Sequence, residues 1–435
     1  MIDIQLLRDN PELVRTKSET KQVDVDTSKL LEMDKSYREL LQEVELLRQQ
    51  KNEISDEMKS SSAQGKPDEE LINKGKQLKV ELSDREDLLK KSEAEFNELF
   101  RKIPNLALND VPLGTTEDDN VVEREMGEKP QFDFKPKTHW EIGEKRDLFD
   151  KERAAKVAGS RFVYLKGALV QLQFAIIQYV MDTLADERIV RKLIDENHLD
   201  LQIKEFIPVL PPALLRTEPY VASARLDAEE VTYKIEQDDL WLNASAEHTM
   251  CTMYWNEVLP QDQLPIRYIA YSPSFRREAG TYGKDTEGII RLHQFDKLEM
   301  EVFSEAGTGH NEHKLLVKIQ EYLVQQLGLH YRFIRKSTAD IGKPNATGID
   351  IDCWFPGQER YIETHTADYM TDYRSRDLKI RTKTDDGMQF VHTNDATAFA
   401  LGRILAAIME NYQNEDMSIR VPEVLQKYLG GKETL

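Results

Sequence analysis

Apolar side chains between residues 28 and 60 recur at Tyr37, Leu40, Val44, Leu47, Ile54 and Met58. Steps of three and four predict a helix with one narrow apolar seam, interrupted at Lys51. A turn-like stretch, SSSAQGKPDEE, follows, with Gly65 and Pro67 as breakers. A second seam runs through Leu71, Leu78, Leu82, Leu89, Phe96 and Leu99. Two long helices with one stripe each, joined by a short turn, make an antiparallel helical hairpin. The first helix alone is roughly 50 Å long. By itself such a pair reads equally well as a coiled-coil dimerisation or spacer element.

The pattern changes from IPNL at 103–106 to about residue 138. Pro104, Pro112, Pro130 and Pro136, with the acidic run EDDN at 117–120, indicate an ordered linker or crossing segment. Beyond it, ALVQLQFAIIQYVMDTLAD at 168–186 is a strongly apolar helix, and VLPP at 209–212 stops the chain where a strand would end. WLNASAEH, PIRYIAYSPSFRRE, LHQFDKLEMEVF, GIDIDCWF and RYIETHT read as strands of an antiparallel sheet, and LGRILAAIMENYQ at 401–413 as a closing helix. The expected fold class is α+β, helices flanking an antiparallel sheet. The expected division is a helical arm over 1–103, a linker over 104–138 and a larger domain over 139–435.

Composition narrows the function classes. Hydrophobic residues make up 40% of the chain and charged residues 32%, and no apolar run reaches membrane-spanning length. MIDIQLLRDNPELVR lacks the basic-then-apolar order of a secretory signal, and its acidic residues disfavour a transit peptide. Only Cys251 and Cys353 are present, which excludes a disulfide framework and fits a reducing cytoplasm. A formal net charge of −20 argues against indiscriminate nucleic-acid binding. Even residues 1–103 carry 19 basic against 24 acidic side chains, so the arm is no basic prong.

One stretch resists a purely structural reading. FRREAGTYGKDTEGIIRLHQF, residues 275–295, has apolar ends that suit two strands and a glycine-rich middle that suits a long hairpin loop. Arg276 beside that loop suits a phosphate clamp, because a guanidinium offers several donors in a fixed fork. Phe295 can stack on a purine, and Glu278 can accept from an exocyclic amine. Gly402-Arg403 offers a second guanidinium. Together they describe a nucleotide cradle built without a GxxxxGK[ST] loop or a GxGxxG turn. The plainer reading makes Arg276 and Glu278 a cross-strand ion pair and Phe295 core.

FRREAGTYGKDTEGIIRLHQFDKLEM resembles the second signature motif of class II aminoacyl-tRNA synthetases. In detail it is similar to FRxEAGxxGxDTxGLIRxHQFDKVEM of the bacterial-type seryl-tRNA synthetases. The resemblance extends over essentially the whole chain, through MIDIQLLRDNPELVR, the helical arm, the IPNL…VPLG…EDDNV crossing, HWEIGE and VPEVLQKYLGG. It implies a homodimeric serine--tRNA ligase using ATP and Mg²⁺. The segment 168–212 would pair the subunits, and the arm would hold a serine tRNA, with selenocysteine tRNA left open. By the same resemblance, Arg276 and Arg403 carry catalysis. Arg276 would hold the α-phosphate, Glu278 the adenine amine, Phe295 and Arg403 the base, and Arg291 the outer phosphates. Arg277, Leu292, Thr364 and His365 fall among the nucleotide-contacting positions. Glu363 and Thr366 would hold Mg²⁺. Ser245, Ala246, Glu247, Glu299, Asp395 and Thr397 would form the serine pocket, and the loop Thr281–Glu287 would touch the tRNA acceptor end.

Four departures touch that pocket or its rim. Ala244-Ser245-Ala246-Glu247 replaces Pro-Thr-Ala-Glu, and Thr364-His365-Thr366-Ala367-Asp368 replaces Ser-Ser-Cys-Ser-Asn. Asp395-Ala396-Thr397-Ala398 replaces Asn-Gly-Ser-Gly, and Glu287 stands where Arg is common. Ser245 and Thr397 keep a hydroxyl at each pocket position, which favours a divergent working pocket. The contrasting reading is a non-catalytic paralogue that serves as a binding or scaffold protein. His365 invites a metal-ligand reading, but no second His or Cys lies at convincing spacing, and a hydrogen-bonded structural histidine is preferred.

Overall fold

The two seams become two long helices, Thr27–Ser62 and Glu69–Phe100. The computed structural model describes residues 1–62, 69–224, 232–278 and 287–435, which fall into two compact units, Met1–Leu106 and Ala107–Leu435. In the first unit Val44 and Ile54 of one helix and Leu78, Leu82 and Phe96 of the other are buried, while Lys51 is exposed. The helices run antiparallel. Gly75 lies against Ile54 and Met58, whereas Arg85 reaches back to Glu43 at 3.2 Å. Such exposed ion pairs add little stability, so the apolar seam holds the pair together. Two short helices precede it, Ile4–Asp9 and Pro11–Thr20, started by the side chains of Asp3 and Asn10 accepting from backbone N–H groups. Gly65 and Pro67, the expected turn, lie outside the described residues.

The second unit is built on one eight-stranded sheet. Its strands in chain order are β1 Val121–Met126, β2 Ile207–Val209, β3 Ile266–Phe275, β4 Gln294–Ser304, β5 Tyr331–Arg335, β6 Thr347–Phe355, β7 Arg360–Thr371 and β8 His392–Ala400. Across the sheet they lie β1-β5-β6-β7-β8-β4-β3-β2, all neighbours antiparallel except the parallel pair β2 and β3. Side-chain alternation divides the two faces. In β4, Leu298, Met300 and Val302 enter the main core, while Lys297, Glu299 and Glu301 alternate with them. The core face is covered by the helices Ala168–Leu184, Gly309–Gln326 and Leu401–Asn411, through residues such as Ile176, Leu316 and Ile404.

Four register shifts interrupt the sheet, and two of them fall between β6 and β7 and between β8 and β4. Ile351 faces His365 but Asp352 faces Glu363, so Thr364 is the extra residue of β7. Leu298 faces Phe399 but Glu299 faces Thr397, so Ala398 is the extra residue of β8. Bulges re-aim side chains, and these two lie on adjacent strands.

The structure differs from the sequence reading in several places. WLNASAEH is a short strand, Leu240–Leu242, followed by a buried helix, Ala246–Met250, rather than one strand of the sheet. Ala246 and Glu247 are good helix formers, and Ser245 in an extended conformation opens the turn. The proline-rich segment after residue 106 supplies the edge strand β1. Residues 289–293 are irregular instead of forming the expected strand, with Ile289, Ile290 and Leu292 packed into the core. Among the described residues no single helix is long and apolar enough to cross a membrane.

Candidate active site

The hairpin of β3 and β4 closes on the open side of the sheet. Gln294 pairs with Phe275, and the Arg276 N–H donates to the His293 carbonyl at 2.9 Å, so both arms stay in register past the strand ends. The returning arm is anchored by two close approaches. A side chain at Gly288, whose φ is +67°, would strike His139, and one at Gly402 would lie 2.5 Å from the Ile289 carbonyl oxygen. His139 Nε2 accepts from the Ile289 N–H at 3.3 Å, and its Nδ1 meets Glu410 at 2.8 Å. A buried Glu410 thus fixes, through one imidazole, the chain that lines the cleft. Residues 279–286, including most of the loop predicted to touch tRNA, lie outside the described residues. Glu287 is described, and it pairs with Lys151 at 3.0 Å.

The cleft has a volume of ≈150 Å³ and gathers side chains from four segments. Arg276, Glu278, Arg291, Leu292 and Phe295 come from the hairpin, Glu363, Thr364 and Thr366 from β7, Thr397 from β8, and Arg403 from the helix that follows β8. Arg276 places its guanidinium 5.3 Å from the Phe295 ring centroid and donates from Nε to the Ala244 carbonyl at 3.1 Å. Arg291 is bonded to Glu278. Arg403 Nη1 lies 3.0 Å from Glu363 Oε1 and donates to the Glu363 carbonyl at 2.7 Å. Glu363 is surrounded by protein yet half of its side chain is open to solvent. Enclosure alone would raise its pKa. Arg403, Lys336, Arg276 and Lys297 outweigh that and hold it below the usual carboxylate range.

Next to the cleft lies a buried cluster of polar side chains, the residues expected to form the serine pocket. Ser245 Oγ donates to Glu299 Oε2 at 3.1 Å, and Lys297 Nζ reaches both Ser245 Oγ at 3.1 Å and Glu299 Oε2 at 2.5 Å. Carboxylate oxygens of Glu247, Glu299 and Asp395 all come within 4.8 Å of one another. Arg374, itself buried, lies 2.8 Å from Asp395. Burial pushes the Glu299 carboxyl up to about 7; Lys297 opposes this, and Glu247 and Asp395 add to it.

The sequence-derived residues therefore fall into an open cleft and a buried polar cluster. Lys297 lines the first and bonds within the second. Ala246 is buried at the start of its helix. Two positions stand apart. Arg277 is exposed and does not line the cleft. His365 is fully buried, with its ring edge-on to Phe399 and its Nδ1 against the Thr364 hydroxyl at 2.7 Å, and burial lowers its pKa to about 3. That environment matches a neutral, hydrogen-bonded imidazole and gives a metal no access. Sequence reasoning passed over Lys297, Lys336 and Arg374. Lys297 was within reach, since it lies two residues before Glu299 on a strand and so shares its face.

Comparison with known proteins bears directly on this arrangement. Residues 232–412 match the family model of the tRNA synthetase class II core domain (G, H, P, S and T), which spans the hairpin, the cleft and the pocket. Residues 1–107 match the seryl-tRNA synthetase N-terminal domain. A serine--tRNA ligase of Nitrosopumilus maritimus is 36% identical over 438 residues, covering 100% of both chains. Among solved structures, seryl-tRNA synthetase from Pyrococcus horikoshii complexed with ATP is 34% identical with a TM-score of 0.84, covering 100% of this chain and 99% of that one. The cytoplasmic serine-tRNA ligase of Naegleria fowleri in complex with AMP is 27% identical with a TM-score of 0.82, covering 100% and 98%. The chain belongs to the seryl-tRNA synthetase family.

Proposed function

We propose that the chain activates L-serine with ATP and transfers the seryl group to a serine tRNA. The observation that carries this reading is the junction at Lys297. An arginine-rich cleft with an aromatic face adjoins, through Lys297, a buried cluster of carboxylates and hydroxyls. The nucleotides bound by the Pyrococcus and Naegleria relatives support ATP as the ligand of the cleft.

Within this reading Arg276 binds the α-phosphate, Arg291 the outer phosphates and Glu278 the adenine amine, while Phe295 and Arg403 flank the base. The serine carboxylate attacks the α-phosphorus, a new P–O bond forms, and the bond to pyrophosphate breaks. The terminal ribose hydroxyl of tRNA then takes the acyl group and AMP leaves. Positioning and charge neutralisation carry the rate, and no side-chain nucleophile is required. Glu299 and Ser245 supply polar partners for the serine hydroxyl, which alanine would leave unpaired.

Of the two expected Mg²⁺ ligands, Glu363 fits a hard cation, being ionised and open to the cleft. Thr366 fits less well, since its hydroxyl already accepts from Lys336 Nζ at 2.7 Å and a cation there would face that ammonium. Mg²⁺, when bound, supplies charge neutralisation for the phosphates. A homodimer working in the cytoplasm is part of the proposal. A non-catalytic paralogue is disfavoured because the ATP-side positions remain together in one cleft. The test is charging of serine tRNA with labelled serine. Charging that requires ATP and fails in Arg276→Ala supports the reading, and no charging by the folded wild-type chain refutes it.

A further inference from the structure

Beneath the amino-acid pocket a guanidinium is sealed from solvent. Arg374, on the short helix Tyr373–Leu378, is 0% exposed. Its Nη1 lies 2.8 Å from Asp395 Oδ2 and its Nη2 3.8 Å from Glu247 Oε1. These are two of the three carboxylates that converge within 4.8 Å. The third, Glu299, has Lys297 for its cation. Arg267 offers a contrast. It is also fully buried, but it donates to Glu312 and to the carbonyls of Gln202 and Lys204, and so ties backbone segments together. Arg374 instead meets the groups that form the pocket.

The charge balance depends on it. Three carboxylates this close cannot all stay ionised without counter-charge. Arg374 is faced by Asp395 from β8, by Glu247 and Cys251 from the helix Ala246–Met250 and its C-cap, and by Glu301 from β4. Glu301 lies opposite Asp395 in the register, is 0% exposed, and neither carboxylate oxygen has a hydrogen-bond partner among the described residues. Burial pushes its carboxyl well above the usual range, with Arg374 opposing. Burial likewise keeps Cys251 a thiol. Two cations meet the converging carboxylates, Lys297 at Glu299 and Arg374 at Asp395 and Glu247. Asp395 also occupies a position where the resembled motif carries a neutral Asn, which would not need a buried guanidinium beside it.

We propose that Arg374 is a positioning residue for amino-acid recognition: paired with Asp395, it holds the Asp395 and Glu247 carboxylates in place for the substrate's α-ammonium. The proposal rests on the synthetase reading and assigns a device within it. It is not a contact with substrate. Its signature is therefore selective, weakening amino-acid binding while leaving the nucleotide cleft alone.

The experiment is serine-dependent ATP–pyrophosphate exchange by the full-length chain, comparing wild type, Arg374→Gln and the double variant Arg374→Gln/Asp395→Asn. Arg374→Gln is expected to raise the serine KM at least about thirtyfold, with the ATP KM moving less than about twofold. The double variant, with charge removed from both partners, is expected to recover about tenfold of that loss. If Arg374→Gln does not fold, the folded double variant decides. A serine KM within about tenfold of wild type supports the pairing, and a larger rise overturns it. Serine and ATP KM rising together, a fall in kcat alone, or no recovery in the double variant would each overturn the proposal. Absence of exchange in wild type would instead remove the ligase reading, and this role with it.

Discussion

The nucleotide cleft and the amino-acid pocket share Lys297 yet hold charge in opposite ways. In the cleft, Arg276, Arg291 and Arg403 are partly open to solvent and rest on carbonyls and on Glu278 and Glu363. In the pocket, Glu299, Asp395 and Arg374 are wholly buried and must balance each other before any ligand arrives. A large hydrated polyanion can be received by charges that water has been screening. A small zwitterion needs a dry, preset arrangement. Substitutions in the cleft should therefore change ATP chemistry and leave folding alone, whereas those in the pocket should also shift stability and pH dependence.

The first way to sharpen that comparison is to remove tRNA from it. Deleting residues 28–101 should reduce tRNA charging at least about a thousandfold while exchange with serine stays within about threefold. Unchanged charging would refute the role given to the helical pair. Arg276→Ala should lower serine-dependent exchange by about a thousandfold, roughly 4 kcal/mol of transition-state stabilisation. Its melting temperature should stay within about 2 °C of wild type, and retained full activity would sink the phosphate-clamp assignment.

Glu299→Gln tests the pocket, and should cost about a hundredfold in kcat/KM for serine. It also has a pH signature. Burial holds Glu299 protonated up to about 7, so kcat/KM for serine in wild type should rise as pH increases through that value, and the variant should be flat there. The stability sign is opposite. A carboxyl with a raised folded-state pKa binds more protons folded than unfolded, so its contribution is full below the ordinary carboxylate range and is lost as pH rises through about 7. Melting curves from pH 5 to 8 should show wild type losing ground against Glu299→Gln. Thr397→Ser, which removes one methyl at a position facing Glu299, should change discrimination between serine and threonine by about tenfold or less.

The parts legible in the sequence were those where one periodicity governs burial. The seam residues Val44, Ile54, Leu78, Leu82 and Phe96 are buried, and the alternation of KLEMEV divides β4 between core and pocket. The hairpin side chains Arg276, Glu278, Arg291 and Phe295 meet in one cleft. Legibility failed where polar residues are buried. HTNDATAFA, which is β8, carries Asn394, Asp395 and Thr397 inside the sheet, and this polar run gives no strand pattern. The edge strand β1 is mostly exposed, so no apolar alternation marks it. Arg374 and Lys336 carry no signal along the sequence, because only the folded chain brings Asp395 and Asp368 to them.

The account's central claim is that Ser245, Glu299, Asp395 and Thr397 form a working serine pocket despite their departures. Amino-acid-dependent ATP–pyrophosphate exchange, run on the full-length chain with serine, threonine, alanine and glycine in the presence of Mg²⁺, tests it most directly. Exchange with serine, and at least about a hundredfold less with the other three, is the predicted result. No exchange with any of the four, from a well-folded preparation, would contradict it.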